Sequence, residues 1–211
     1  MPTFRHTPTG KRFLFIHIPR TGGRFIETNL QRNEFLWDDG DLMTDKMYDS
    51  VDNIELAHFH REYYEKYLDI EGIPHITVIR NPIDRFISAS IFINKMYGNH
   101  STIQELMEDE YYFYSLLENF PLQESVNWFR PQQDFISNKT HIWRFEDGFK
   151  EEFVRWLSDI IGIPLKFEQE ITVNTTVAHG GTKLKKTPAL IKNIKQLYKK
   201  EIEQYYPEVL E

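Results

Sequence analysis

The 211-residue chain has no cysteine. Disulfides and thiolate-held metals are therefore excluded, and the composition is compatible with a reducing compartment. No stretch approaches the ~20 apolar residues that a membrane-crossing helix needs. Near the N-terminus the only apolar run, Phe13 to Ile18, is broken by His17 and is too short for the core of a secretory leader. An excess of positive charge is also lacking. Lys and Arg number 25 against 32 Asp and Glu, a formal net charge of -7. A general nucleic-acid binder would be basic, so no nucleic-acid partner is expected, although a local basic pocket is still allowed. These absences lead to the expectation of a soluble, cytoplasmic protein with no membrane segment. No internal repeat or low-complexity linker divides the chain, and residues 1–211 read as one domain.

What the sequence does have is aromatic residues, 15% of the chain, which suit a core built on Phe, Tyr and Trp. Phe13 to Ile18 reads as a buried strand leading into a helix from Gly22-Gly23 to about Gln31. Ile54 to His60 reads as a second strand, with a helix following through "REYYEKYL". "HITVIR", 75 to 80, is a further strand that runs directly into a helix, with Asn81 as N-cap and Pro82 at its first position. An acidic, aromatic helix is expected over 101–119, a strand at "THIWRF", and helices over 147–161 and 188–205. Strands alternating with helices predict an α/β fold, a three-layer sandwich around a mainly parallel central sheet.

"FLFIHIPRTGGRFIETNL", residues 13 to 30, is a strand, a glycine turn and a helix start. Such a turn offers free backbone N–H groups and the positive end of a helix, which together bind a phosphate without a metal. Gly22 and Gly23 allow close approach, Thr21 offers a hydroxyl donor, and Arg20 and Arg24 bring positive charge. The Lys-Ser/Thr ending of nucleoside-triphosphate loops is missing, which disfavours Mg²⁺-dependent hydrolysis. Alone, the stretch is equally compatible with an ordinary turn. In "VIRNPIDRFISAS", Arg80 ends a strand, where α/β proteins bind ligands, and its planar fork suits a phosphate. Ser88, two turns into the helix, is a second donor for the same anion. Pairing of Arg80 with a carboxylate is the alternative.

Taken together, the two segments resemble the sulfotransferases that use 3′-phosphoadenosine 5′-phosphosulfate (PAPS), in their carbohydrate (uronyl 2-O-type) branch. "FIHIPRTGG" is similar to the family's 5′-phosphosulfate loop, H-x-P-K-T-G-G-[TS], and "IRNPIDRFISAS" to its 3′-phosphate motif, R-[DN]-P-x-x-R-x-x-S. "WRFED" resembles a third family segment, and "KKTPALIKNIKQLYKKEIEQYYPE" the closing helix, so the likeness runs from about 13 to 206. Arg20 stands where the loop usually has Lys, and Arg24 where it has Thr or Ser.

The resemblance implies a P-loop-like sulfotransferase fold and transfer of a sulfuryl group from PAPS to an acceptor hydroxyl on a carbohydrate or glycoconjugate, with no metal. It implies that Arg20 bridges the leaving 5′-phosphate and the transferred group. The N–H groups of Thr21, Gly22, Gly23 and Arg24 would hold the 5′-phosphate, and Arg80 and Ser88 the 3′-phosphate. "HFH" falls where the 2-O branch carries its general base. His58 and His60 are both candidates, on the expectation that a strand places them on one face, and Glu55 is a reserve. His17 belongs to the H-x-P pattern and is read as structural. "HGGTKLKKT", 179 to 187, resembles the Lys-rich loop over the cofactor, with Lys183 and Lys185 as contacts; a solvated linker is the alternative. The acidic "WDDGDLMTD" lacks calcium-loop spacing and reads as a solvated loop. A catalytically impaired PAPS-binding protein of the same fold and an atypical P-loop kinase are the other function classes.

Overall fold

The structure is a computed structural model that describes residues 3–38, 58–97, 108–111, 113–114, 128–170 and 184–210, with the backbone alone for 93–97. Its centre is a five-stranded sheet of order β3-β1-β2-β4-β5. Strand β2 (Arg12–Ile16) is almost wholly buried, as its apolar run demands. It pairs in parallel with β4 (His75–Ile79), and β4 pairs in parallel with β5 (Thr140–Arg144). Helix α1 (Gly23–Arg32) follows β2, and α3 (Pro82–Tyr97) follows β4. The strand ends that carry the two phosphate-type motifs therefore lie side by side.

The other half of the sheet corrects the expectation of a mainly parallel arrangement. Strand β1 (Thr3–His6) pairs antiparallel with β2, Phe4 opposite Phe13, and antiparallel with β3 (Phe35–Trp37). The sheet is mixed. The cause is the turn over residues 7–11: the N–H of Gly10 donates to His6 O at 2.8 Å, and Gly10 takes a φ of 72°. A connection that short can only reverse the chain, whereas a parallel pair needs a long crossover.

Alternation along the strands sorts the core onto two faces. Phe13, Phe15, Ile76 and Val78 pack with Ile26 and Leu30 of α1 and with Phe153, Leu157 and Ile161 of α4 (Glu151–Ile161). Leu14, Ile16 and Ile79 pack instead with Tyr64 of α2 (Arg61–Tyr67), Phe135 and Tyr206. A third cluster joins Ile83 and Phe86 of α3 to Leu190 and Ile194 of α5 (Pro188–Leu197) and Ile202 of α6 (Lys199–Tyr205).

The expected final helix is thus two, broken at Tyr198, whose hydroxyl donates to Phe129 O at 2.7 Å. The helix expected from 147 starts at Glu151, after a 3₁₀ turn over Phe145–Asp147. Most of the helix expected over 101–119 lies outside the described residues, as does most of the acidic segment 37–45. None of the described helices is long and apolar enough to cross a membrane.

Candidate anion-binding site

Between β2 and α1 the chain makes a turn that only glycine permits at two places. Gly22 caps α1 with φ 91°, in the left-handed region, and a Cβ there would lie 2.7 Å from the Phe149 ring. Gly23 is pressed from the other side: a Cβ would meet Nε2 of His17 at 2.1 Å. That imidazole is fixed by Glu27, one turn into α1, with Nδ1 to Oε1 at 2.8 Å. Burial would push the Glu27 carboxyl up. The charge and hydrogen bond of His17, together with the charge of Arg24, offset burial and hold it below the usual carboxylate value. His17 thus wedges the loop, in keeping with a structural role.

No side chain caps α1. The N–H groups of Thr21, Gly22, Gly23 and Arg24 donate to no backbone acceptor among the described residues, and the first turn of a helix is where free N–H groups favour an anion. The Thr21 hydroxyl is not part of that set. It is buried and donates to Ile18 O at 2.8 Å, tightening the turn, so the expected hydroxyl contact is replaced by an internal one. The Arg24 side chain is 65% exposed, with Glu27 4.0 Å away. Arg20 takes φ 68°, a conformation costly to a side-chain-bearing residue, and such strain concentrates at functional sites.

The second corner is built on β4. Asn81 caps α3 through Oδ1, which accepts from the N–H groups of Ile83 (3.0 Å) and Asp84 (3.4 Å). One guanidinium nitrogen of Arg80 donates to the carbonyl of Arg20 at 3.1 Å, and Arg20 Nε donates to Ser88 Oγ at 3.0 Å. The three polar residues expected to serve two phosphates therefore form one connected group. Aromatic faces support both cations, Phe92 at 4.8 Å from Arg20 and Phe145 at 4.5 Å from Arg80. Burial, then the neighbouring charge of Arg80, lowers the Arg20 pKa to about 10; burial lowers that of Arg80 as well. Both stay protonated at neutral pH. Neither forms an ion pair with a carboxylate among the described residues. Asp84 and Glu146 act on Arg80 through charge without an ion pair, and half-buried guanidiniums that lack a paired carboxylate favour a bound anion.

The expected strand over 54–60 is not seen where it is described. His58 lies in a 3₁₀ turn and His60 caps α2, with Ile54 to Ala57, including Glu55, outside the described residues. The two imidazoles consequently do not share a strand face. His58 is buried against His17 (ring centroids 4.8 Å apart) and Trp128 (5.2 Å), at the root of the loop. His60 is buried against Tyr63 on α2 at 4.6 Å. In the basic segment Lys183 lies outside the described residues and Lys185 is exposed. Lys186 pairs with Asp84 at 2.5 Å and ties the segment to the start of α3.

Residues that sequence reasoning passed over close the site from behind. Glu146 of "WRFED" accepts from the N–H of Asn81 (2.7 Å) and the hydroxyl of Tyr206 (3.0 Å), while Arg144 pairs with Glu208 and lies over the Tyr206 ring. Both segments quoted for the resemblance thus form a clasp under α3. Gln132 holds the backbone of Arg80, and Glu201 accepts from Gln132. Glu201 left a trace in the sequence, a carboxylate beside the apolar stripe of the closing helix; Gln132 left none. A surface cavity of about 850 Å³ between α4 and residues 162–169 includes none of these side chains. Among the described residues no group of three or more His, Asp or Glu is placed to hold a metal ion.

No family model matches the chain, and no curated protein matches it. Among solved structures it is similar to a sulfotransferase from Alicyclobacillus acidocaldarius, at 15% identity and a TM-score of 0.37. The match covers 70% of this chain and 57% of that one, so the chain matches little more than half the length of that structure. At that identity and TM-score the likeness decides neither fold nor activity.

Proposed function

We propose that the protein is a sulfotransferase that takes PAPS as donor and sulfates a hydroxyl on a carbohydrate or glycoconjugate. The observation that carries this reading is the linkage of Arg80 to the carbonyl of Arg20, and of the Arg20 side chain to Ser88, beside a helix α1 whose start has no side-chain cap, with neither guanidinium ion-paired among the described residues. A donor with phosphates at both its 3′ and 5′ positions matches that divided positive charge. The motifs "HIPRTGG" and "RNPIDRFIS", at these same two corners, supply the resemblance.

In this reading the N–H groups of residues 21–24 hold the 5′-phosphate, and Arg80 with Ser88 holds the 3′-phosphate. Arg20 faces the bridging oxygen. The acceptor oxygen attacks sulfur in line, the bond from sulfur to the bridging oxygen breaks, and adenosine 3′,5′-bisphosphate departs with that oxygen. Arg20 neutralises the charge growing there, which is the main demand of such a transfer. We assign the acceptor's proton to His58 rather than His60, because His58 adjoins the loop through His17 while His60 faces α2. An imidazole is suited to this near neutral pH.

Titration calorimetry with adenosine 3′,5′-bisphosphate in EDTA tests the donor site. Micromolar binding, with AMP much weaker, is expected; equal affinity for AMP, or none for the bisphosphate, would sink the reading. Turnover of labelled PAPS over a panel of glycans tests the activity. Binding without turnover on any acceptor would point to a PAPS-binding protein instead. His58→Ala should abolish turnover with donor affinity intact, and His60→Ala should not.

A further inference from the structure

Resting on the reading above, we propose that Gln132, braced by Glu201, is a positioning residue that sets the aim of Arg80 and so the selectivity for a 3′-phosphate. The ladder between β4 and β5 ends at Ile79 opposite Arg144. Arg80 is therefore the first residue beyond it, and its peptide groups need partners from elsewhere. One side chain supplies both. Gln132 Oε1 accepts from the N–H of Arg80, and its Nε2 donates to the Arg80 carbonyl, each at 2.8 Å. A carboxamide is the side chain that offers a donor and an acceptor in one plane, so Gln132 acts as one further rung of the sheet.

Gln132 is itself held on every side. It is 0% exposed, in the 3₁₀ turn Gln132–Phe135. Its second amide hydrogen and its own backbone N–H go to the two oxygens of Glu201, both at 2.5 Å. Glu201 lies on α6 and is 1% exposed. Burial raises its pKa, opposed by the nearby charge of Arg85 and by both bonds from Gln132. Arg85, fully buried on α3, donates to Trp128 O (3.1 Å) and Arg130 O (2.6 Å) and clamps the chain just ahead of Gln132. A fixed backbone at residue 80 leaves only side-chain rotamers between Arg80 and its anion. A guanidinium aimed by a rigid support binds with less lost freedom than one on a loose end.

The test compares two probes on wild type, Gln132→Leu and Glu201→Gln: adenosine 3′,5′-bisphosphate, and adenosine 5′-phosphosulfate, which lacks the 3′-phosphate. Gln132→Leu leaves both peptide groups of Arg80 unsatisfied and should weaken the bisphosphate about tenfold. Affinity for the 5′-phosphosulfate should change less than twofold. Glu201→Gln keeps the volume but sets an amide N–H against a donor; it should lower the ratio of affinities by about threefold. Equal losses for both probes would show general loosening and overturn the assignment, as would unchanged affinities in folded variants. Should Gln132→Leu fail to fold, Glu201→Gln carries the test alone. Wild-type protein that does not prefer the bisphosphate would refute the donor reading itself, a result distinct from either variant outcome.

Discussion

The two strand-to-helix corners sit on neighbouring parallel strands, yet they are prepared for an anion in opposite ways. At the β2–α1 corner the helix start is uncapped, with Gly22 in a left-handed conformation and four N–H groups unused by the backbone. At the β4–α3 corner Asn81 already occupies the N–H groups of Ile83 and Asp84, so α3 presents no open end. On the proposed reading, an anion at the first corner is met by backbone, and at the second by the side chains of Arg80 and Ser88. The backbone corner cannot be improved or lost by exchanging one exposed side chain, but it depends on its glycines. On the same reading the side-chain corner should tolerate changes to its cap and depend on one guanidinium and whatever holds it.

The contrast breaks most sharply at Gly22. Gly22→Ala demands an unfavourable φ and pushes a methyl into Phe149, and should cost about 2–4 kcal/mol, read as a lowered urea midpoint together with lost donor binding. Next is Arg80→Ala. Loss of one charge-assisted contact of about 1.5–3 kcal/mol should weaken adenosine 3′,5′-bisphosphate roughly 10- to 100-fold with Tm nearly unchanged. If that variant bound normally, the second corner would not be a phosphate site. Asn81→Ala should cost about 1 kcal/mol of stability and leave affinity within about twofold, since the cap and not the ligand uses those N–H groups.

Acid probes the first corner alone. Glu27 is held down in the folded state by His17, so its contribution is present above its unfolded pKa and is lost as pH falls through the lower folded value. Glu27→Gln should therefore show a shallower loss of stability in acid than wild type. The smallest effect is expected at Arg24, whose side chain is mostly exposed: Arg24→Thr should alter donor affinity by about twofold or less. A large change there would mean that the first corner relies on a side chain after all, and the contrast would fall.

Much of this was legible in the chain. The strands at 12–16 and 75–79 announce themselves by apolar runs, and the helices after them by the Gly-Gly break and the Asn-Pro start; the strand at 140–144 shows through a β-favouring stretch. The N-terminal hairpin was not read, because "TFRH" is four residues with one exposed position, too short for alternation to register. Arg20, Arg80 and Ser88 were singled out from the chemistry of their side chains and the resemblance of the two motifs, and the fold links them by hydrogen bonds. The link between them was not legible: no sequence tells that the Arg20 side chain donates to Ser88 and that Arg80 donates to the Arg20 carbonyl. Thr21 was read as a ligand donor because its hydroxyl is the visible feature, and no sequence tells that Ile18 O takes it.

The sequence by itself determined the local conformations: where glycine permits a left-handed turn, where asparagine caps and proline starts a helix, and which residue types suit an anion. Those follow from each residue's own sterics and chemistry, which need no partner distant in the chain. The tertiary structure alone decided that the sheet is mixed, that His58 packs against His17 of the loop, and that Glu201, some 120 residues from Arg80, holds it through Gln132. Such pairings depend on which elements meet when the core closes, and a buried polar side chain finds its partner only once both have left water.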